Sequence, residues 1–292
     1  MNKSLIGITC GLSAAAIWGG MYVVSKVVLE VIPPFTLVTV RLLLGGATLW
    51  LIRITRRNNH IDGKQFWQVF AVGLIGYGIS LGFQFEGTKL STAANGSLVT
   101  SATPAFILLF AWVILRERIT ILRLAALLIS TLGVVAVIDP RTAEINPTMF
   151  WGNLSLLAAA LTWALYSVLI RIVTRKLDVL TVSLIAFTGG LPIVIPAGIW
   201  ELSNTVIGPI SLAILAGLLF LGIISTALAM VLWNTAFAML DASIASLTFF
   251  AQPLVGSLLG WFFLKEIITP FFLLGGFLIL VGLVMASWET GT

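Results

Sequence analysis

Charge is scarce in this sequence. Only 9% of its 292 residues are charged, whereas 59% are hydrophobic. Soluble globular domains usually carry charge on about a quarter of their residues, because their surfaces face water. The composition therefore excludes a soluble globular protein and predicts a membrane protein.

Residues that carry catalysis or bind metals are also scarce. Cys10 is the sole cysteine, so no intrachain disulfide can form. The sole histidine, His60, stands in a predicted loop beside Asn58, Asn59 and Asp62. The sequence shows no metal cluster, no nucleophile with a base and no phosphate-binding loop. It therefore favours a protein that is not an enzyme and has no cofactor or metal.

Apolar stretches long enough to cross a bilayer follow one another along the whole chain. A hydrocarbon core of about 30 Å requires roughly 20 apolar residues in a helix. Ten stretches meet this requirement, at about 4–28, 35–54, 66–87, 92–114, 121–138, 149–171, 179–200, 211–237, 243–263 and 270–288. The predicted fold is an all-α membrane protein with ten transmembrane helices. Glycine or serine interrupts the third, eighth and ninth of them.

The sequence contains two copies of one five-helix unit. One set of residues returns 145 positions later: Ala15, Trp18 and Lys26 as Ala160, Trp163 and Arg171. A second set returns 149 positions later: Ser97, Leu98, Pro104, Trp112, Glu117, Thr120 and Gly133 as Ser246, Leu247, Pro253, Trp261, Glu266, Thr269 and Gly282. Because each unit has an odd number of spans, the second enters the bilayer from the opposite side. We therefore predict two inverted repeats, 1–140 and 141–292, which is an architecture of transporters.

Basic residues collect on one side of the predicted bundle. With a cytoplasmic N-terminus, the inner side holds Lys3, Arg53, Arg56, Arg57, Lys64, Arg116, Arg118, Arg123, Arg171, Arg175 and Lys176. The outer connections hold Lys89, Arg141 and Lys265. The positive-inside rule therefore predicts a bacterial inner-membrane protein with both termini in the cytoplasm. The net charge of +5 is thus explained by orientation, and no nucleic-acid partner is expected.

Two tryptophans differ from the other eight in position. Eight lie near span ends, where they would form interfacial belts: Trp50, Trp67, Trp112, Trp151, Trp200, Trp233, Trp261 and Trp288. Trp18 and Trp163 lie near the middle of their spans and are equivalent in the repeat. Inverted-repeat transporters bind substrates near the bilayer midplane. Both indoles are therefore predicted to bind substrate, with packing against lipid or other helices as the alternative.

Polar residues recur on single faces of three predicted helices. On the third helix Tyr77, Ser80 and Gln84 follow at steps of three or four, and such a stripe has to face protein or water. Tyr22 and Tyr166 lie on similar stripes of the first and sixth helices. Small residues on these stripes also suit close helix packing. Because buried tyrosine hydroxyls need partners, all five polar side chains are predicted to line a substrate cavity.

Pro104 and Pro253 interrupt the fourth and ninth predicted helices. A proline removes one backbone hydrogen bond and frees a carbonyl about one turn earlier. Freed backbone within a membrane is tolerated where protein or a water-filled cavity satisfies it. Thr100, Ser101 and Gln252 stand beside these breaks and are predicted to contact substrate, with the prolines as hinges. A structural kink without substrate contact is the alternative.

Charged residues within the spans are few and lie near the predicted outer face. Lys26 can reach the surface or pair with Glu30 one turn away, and Arg41 lies deeper. Glu86, near the outer end of the third helix, is a candidate partner for either cation. Both an ion-paired outer gate and a static structural clasp fit this pattern. No carboxylate lies near a span centre, which disfavours proton coupling, although Glu86 keeps it open.

The order of these motifs resembles the drug/metabolite transporter superfamily, in particular the bacterial two-domain EamA-type exporters. The similar residues are Ala16-Ile17-Trp18-Gly19, Lys26, Pro33-Pro34 and Arg41, then Pro104, Glu117 and Thr120, and then Pro253, Glu266 and Thr269. The resemblance covers nearly the whole chain, although the seventh helix has no counterpart of Arg41. It implies ten helices, a central substrate cavity and alternating access. It also implies similarity to exporters of amino acids, including aromatic ones, and of toxic small organic molecules.

The primary hypothesis is therefore a secondary transporter that exports small organic solutes, above all amino acids including aromatic ones. Export of drugs or other metabolites, such as nucleobases or cationic aromatics, is the first alternative. A non-transporting membrane scaffold and a channel are the others. The expected partners are a small-molecule substrate and the lipid bilayer, with a monomer as the working state.

Overall fold

The described part of the chain is entirely helical. A computed structural model describes residues 3–54, 61–91, 99–138, 150–264 and 270–288. Within these ranges every regular element is an α-helix, a short 3₁₀ segment or a π-helical segment, and no strand occurs. The predicted all-α class is confirmed for these residues. The sequence-predicted loop residues Arg56, Arg57, His60, Arg141, Lys265, Glu266 and Thr269 lie outside them.

The helices follow one another with short connections. In chain order, the described helices are α1 (Lys3–Leu29), α2 (Pro34–Ile54), α3 (Gly63–Leu90), α4 (Thr103–Leu115), α5 (Ile121–Ile138), α6 (Phe150–Val173), α7 (Val179–Asn204), α8 (Leu212–Met239), α9 (242–264) and α10 (Pro270–Trp288). Six of these, α1 to α3 and α6 to α8, are long and apolar enough to cross a membrane. That all ten cross it stays a prediction.

Irregular helical turns occur in the three helices whose apolar stretches are interrupted by glycine or serine. In α3 the segment Leu74–Ser80 is π-helical, and in α8 the segment Phe220–Leu228 is also π-helical. In α9 the segment Thr248–Phe250 is a 3₁₀ turn. The third, eighth and ninth helices thus each contain an irregular turn, although α3 and α8 continue through theirs as single helices. Because π-bulges often occur at functional sites, these turns direct attention to the middle of the bundle.

Helices α2 and α7 pack side by side in opposite directions. Thr36 near the start of α2 bonds to the Gly198 carbonyl at 3.4 Å, and Thr39 donates to the Val194 carbonyl at 2.8 Å. Farther along α2, the position of Gly45 faces Phe187. The contacts therefore run forward along α2 and backward along α7, which defines an antiparallel pair.

Helices α5 and α10 form a second antiparallel pair with reciprocal glycine contacts. Gly133 packs against Gly275 and Ile279, whereas Gly282 packs against Ser130. Gly282 and Ile279 follow Gly133 and Ser130 by the repeat offset of 149 residues. The contact of Gly133 with Ile279 and the contact of Gly282 with Ser130 therefore lie at equivalent positions of the repeat.

A buried carboxylate closes the start of α2. Glu201, at the end of α7, accepts hydrogen bonds from the N–H groups of Phe35 at 3.0 Å and Thr36 at 2.7 Å. The first N–H groups of a helix have no partner within the helix and carry partial positive charge. Glu201 supplies that partner from another helix, which accounts for its burial.

Five of the eight tryptophans predicted to lie at the membrane interface are exposed on the outside of the bundle, and their depth in the bilayer stays a prediction. Trp50, Trp67, Trp112, Trp151 and Trp200 are all more than half exposed. The expectation for Trp233 is wrong, because that ring is fully buried and its Nε1 donates to Ser167 Oγ at 3.1 Å. The side chains of Trp261 and Trp288 lie outside the described part of the chain.

The contact between α3 and α7 leaves no space for a methyl group. A Cβ atom on Gly73 would collide with the carbonyl of Ala186, which belongs to the backbone and cannot rotate away. We expect Gly73→Ala to lower the free energy of unfolding by about 1–3 kcal/mol. Thermal unfolding of the detergent-purified protein measures this loss.

Gly46→Ala is the matched control, since a Cβ atom there would meet no atom within 4 Å. Equal melting temperatures for the two variants would contradict the close packing of α3 on α7.

Candidate functional site

A cavity lies in the interior of the bundle, between both halves of the chain. The space inside it, counted together with the open solvent at its mouth, is about 440 Å³. The residues that line it are Trp18, Met21, Arg41, Ser80, Leu81, Gln84, Thr100, Thr103, Ala159, Ala160, Trp163, Met230, Phe249 and Gln252. Six of the ten predicted substrate-binding residues are in this set.

The two central tryptophans meet in the wall of the cavity. The rings of Trp18 and Trp163 pack edge to face with centroids 5.7 Å apart. Trp18 is held by a hydrogen bond from its Nε1 to the Ser225 carbonyl at 3.0 Å, and Trp233 packs 5.3 Å from it. The structure thus brings the two repeat-equivalent indoles together, and their contact with substrate stays a prediction.

Ser80, Gln84, Thr100 and Gln252 supply the polar part of the wall. Ser80 Oγ donates to the Ala159 carbonyl at 2.9 Å, so its hydrogen is already engaged. The side chain of Gln252 is buried and forms no hydrogen bond with the described residues. Its amide can therefore both donate to and accept from a ligand.

Tyr22 lies behind this polar wall and supports it. Its hydroxyl accepts from Gln84 Nε2 at 3.1 Å and lies 3.4 Å from Thr100 Oγ1. Ser101 is buried next to Thr100 and is not among the lining residues. The structure therefore places Tyr22 and Ser101 one layer away from the cavity.

Tyr77 and Tyr166 also lie outside the cavity lining. Both are fully buried, and their hydroxyl oxygens are 2.5 Å apart. Tyr166 also donates to Asn234 Oδ1 at 2.9 Å, and Asn234 Nδ2 donates to Ser183 Oγ at 2.9 Å. The hydroxyls that were expected to face a ligand bond to protein, because four helices bring their polar groups together there.

Several residues that line the cavity were not predicted from the sequence. Met21, Met230 and Phe249 supply apolar surface, and Thr103 adds a hydroxyl next to Pro104. Apolar residues of a lining cannot be distinguished by composition from those that face lipid, because both environments exclude charge. The available indication was position in the chain, because Thr103 and Phe249 lie beside the predicted breaks of the fourth and ninth helices.

The predicted ion pair of Arg41 or Lys26 with Glu86 does not form within the described residues. Lys26 is exposed, and Arg41 is 1% exposed. The Arg41 guanidinium lies over the ring of Phe85, 4.8 Å from its centroid. Adjacent helical residues point about 100° apart, so Glu86 is directed away from Arg41 when Phe85 faces it.

Both prolines follow a break in their helices. A turn at Ser101–Ala102 precedes Pro104, which stands in the first turn of α4. The 3₁₀ turn Thr248–Phe250 precedes Pro253. Proline is well accommodated in the first turn of a helix, where its missing N–H costs nothing. The breaks are present, and the hinge role of the prolines stays a prediction.

A cluster of charges ties together one end of the bundle. Arg171 and Arg123 each lie 2.8 Å from a carboxylate oxygen of Asp241. Glu117 lies 3.4 Å from Arg171 and accepts from the Ala242 N–H at 2.8 Å. These residues come from three connections that the charge pattern assigns to one side. Of the described residues, no three or more histidine, cysteine or acidic side chains form a metal-binding group.

Several apolar helices long enough to span a membrane, packed around an interior cavity with aromatic and polar walls, define a membrane transport protein as a class. The sequence profile of the EamA-like transporter family matches residues 5–138 and again 150–288. The chain belongs to this family, and it is a multi-pass membrane protein.

Relatives and a solved structure agree with this assignment. The uncharacterized transporter YoaV of Bacillus subtilis is 24% identical over 99% of this chain and 98% of its own. An uncharacterized transporter of Archaeoglobus fulgidus is 26% identical over 93% of each chain. Protein PecM of Dickeya dadantii is 26% identical over 94% of this chain and 90% of its own. A crystal structure with 21% identity, covering 97% of this chain and 96% of its own, superposes with a TM-score of 0.81 and supports the fold.

Proposed function

We propose that this transporter exports small organic solutes, above all amino acids including aromatic ones. The observation that carries the proposal is the contact of Trp18 and Trp163 in the wall of the interior cavity. Their rings and Phe249 offer faces for an apolar group, and Gln84 and Gln252 offer amides for a polar one. A wall with few fixed polar groups suits a broad range of solutes of similar size.

The mechanism we propose is alternating access by two inverted repeats, 1–140 and 141–292, with ten membrane spans. Support comes from the antiparallel packing of α2 on α7 and of α5 on α10. Equivalent helices of inverted units have to run in opposite directions. In this proposal the two units rock about the cavity, and the breaks before Pro104 and Pro253 absorb the bending.

For orientation we propose the bacterial inner membrane with both termini in the cytoplasm. The positive-inside rule supports this, as does the cluster of Arg123 and Arg171 with Asp241 at one end of the bundle. Cysteine residues introduced at Ser4 and Ser203 test the orientation. With a membrane-impermeant reagent on intact cells, position 203 is expected to be labelled and position 4 to be protected.

A channel and a non-transporting scaffold fit the interior less well. A channel requires a continuous polar path, whereas the indoles of Trp18, Trp163 and Trp233 pack together beside the cavity. A scaffold has no need of polar side chains such as Gln252 against an interior cavity. Saturation of flux with concentration separates a carrier from a channel.

We expect Trp18→Leu and Trp163→Leu each to weaken transport of aromatic solutes. Leucine keeps an apolar side chain but removes the aromatic face, and an aromatic contact contributes about 0.5–1.5 kcal/mol. The expected result is a rise in KM of about two- to tenfold for phenylalanine. Uptake of labelled phenylalanine, threonine and a cationic aromatic into proteoliposomes measures it.

Trp151→Leu is the matched control, because that indole is 68% exposed on the outside of the bundle. The proposal fails if the wild-type protein moves none of these solutes, or if both cavity variants transport phenylalanine with an unchanged KM.

A further inference from the structure

Arg41 is a buried charge that the transport mechanism leaves unexplained. Its side chain is 1% exposed and lines the cavity. Nε donates to Thr226 Oγ1 at 3.0 Å, and Nη2 lies 3.3 Å from Ser225 Oγ and 3.4 Å from Met21 Sδ. All three partners are neutral. These three groups and the ring of Phe85, 4.8 Å away, hold the guanidinium in place, but none of them carries a negative charge.

The guanidinium also has donor capacity to spare. Arginine carries five N–H donors, and Nη1 is fully buried without a hydrogen-bond partner in the described ranges. In those ranges no carboxylate pairs with Arg41. An uncompensated charge in a membrane interior is costly and usually marks a functional site. The arrangement is therefore one that a bound anion would complete.

The rest of the wall indicates which anion fits. Among the described residues that line the cavity, Arg41 is the sole charged side chain. One cation balances a carboxylate, whereas a phosphate near neutral pH carries up to two charges and would remain partly uncompensated. The rings of Trp18, Trp163 and Phe249 line the same cavity and suit an apolar or aromatic group.

We propose that Arg41 binds the carboxylate of the substrate, so that the cavity selects organic acids with an apolar or aromatic group over their uncharged or cationic analogues. This inference rests on the proposed function, because it assigns a substrate group within the same cavity. A carboxylate site at Arg41 favours binding of amino acids over drugs and cationic aromatics. The aromatic wall without Arg41 would bind all of these classes equally well.

Ligand binding to the purified full-length protein tests the inference without requiring transport. The ligands are L-phenylalanine, 3-phenylpropionate, L-phenylalaninamide, phenethylamine and phenyl phosphate, and the readout is Kd from ligand-dependent thermal stabilisation. The two carboxylates are expected to bind at least about tenfold more tightly than the amide and the amine, as a charge-assisted hydrogen bond implies. The inference is overturned if the amide binds as tightly as phenylalanine, if phenyl phosphate binds most tightly, or if no carboxylate binds.

Variants assign the selectivity to Arg41. Arg41→Gln is expected to weaken phenylalanine binding about ten- to hundredfold and to change phenylalaninamide binding less than about threefold. Arg41→Lys keeps the charge and is expected to keep the preference for carboxylates at reduced affinity. Arg53→Gln, an arginine at the other end of α2 and outside the lining, is the control. A folded Arg41→Gln protein with wild-type affinity for phenylalanine would overturn the assignment.

If Arg41→Gln does not fold, the lysine variant and the comparison of phenylalanine with its amide in the wild type decide the question. Transport assays with the same ligands keep the two proposals apart. If phenethylamine is transported and the carboxylates are not, the protein is a carrier and the proposed role of Arg41 is overturned. If carboxylates bind in an Arg41-dependent way but no solute is transported, the binding site is supported and the transport function is overturned.

Discussion

A protein with alanine in place of Glu117 is expected to lose about 3 kcal/mol of unfolding free energy. The Glu117 carboxylate accepts hydrogen bonds from the N–H groups of Ala242 at 2.8 Å and Ser243 at 3.1 Å, and from Ser243 Oγ at 2.7 Å. It also lies 3.4 Å from Arg171. Its side chain is only 10% exposed, so water cannot fully replace these contacts. Alanine leaves the start of α9 without its cap and the arginine with one anion fewer.

Thermal unfolding of the detergent-purified protein measures this effect. Glu117→Gln is expected to lose less, because the amide oxygen can still accept one of the backbone hydrogen bonds. Glu30→Ala serves as the control, since Glu30 is exposed and forms no hydrogen bond or ion pair within the described residues. A melting temperature of Glu117→Ala equal to that of Glu30→Ala would contradict the capping role.

Asn234→Leu is expected to lower the unfolding free energy by about 2 kcal/mol and to weaken substrate binding as well. Asn234 is fully buried, accepts from Tyr166 OH and donates to Ser183 Oγ, both at 2.9 Å. Leucine has a similar volume but cannot form either bond. The ring of Tyr166 packs 4.8 Å from that of Trp163 in the cavity wall. Loss of the network therefore loosens an indole on which the proposed site depends.

Thr235→Val is the control that removes a polar side chain from α8 without breaking this network between helices. Thr235 donates only to the Val231 carbonyl of its own helix, at 2.7 Å, so valine removes a local bond and no contact between helices. Its melting temperature and its Kd for phenylalanine are expected to stay near wild type. Equal losses in the two variants would show that the bridge between helices contributes nothing of its own.

The repeat in the sequence carried much of the structural information. The 145-residue offset identified Trp18 and Trp163 as a pair, and they lie in contact. The same kind of reasoning offered Glu86 as a partner for Arg41, in an outer gate or a structural clasp, and that ion pair does not form within the described residues. Neighbours along a helix differ in direction, and the sequence does not specify which of Phe85 and Glu86 faces the arginine. Packing chose Phe85, and that choice left the guanidinium without a carboxylate.

Tyr77 and Tyr166 also show what cannot be predicted from the sequence. A hydroxyl inside an apolar helix has to find a partner, and the sequence correctly required one for Tyr77 and Tyr166. The partners are the two hydroxyls themselves and Asn234, which come from α3, α6 and α8. Nothing in local spacing distinguishes a hydroxyl that faces a ligand from one that faces another helix.

The sequence by itself determined that the chain is helical, apolar and internally repeated, because composition and periodicity depend on each residue and its near neighbours. Only the tertiary structure decided which polar groups satisfy one another and which are left to line the cavity. Which polar groups reach the cavity depends on how each helix is rotated and on how closely it packs against its neighbours. Rotating a helix by about 100° would replace one cavity-lining residue with the next residue along the chain. The uncompensated charge of Arg41 is a result of that packing.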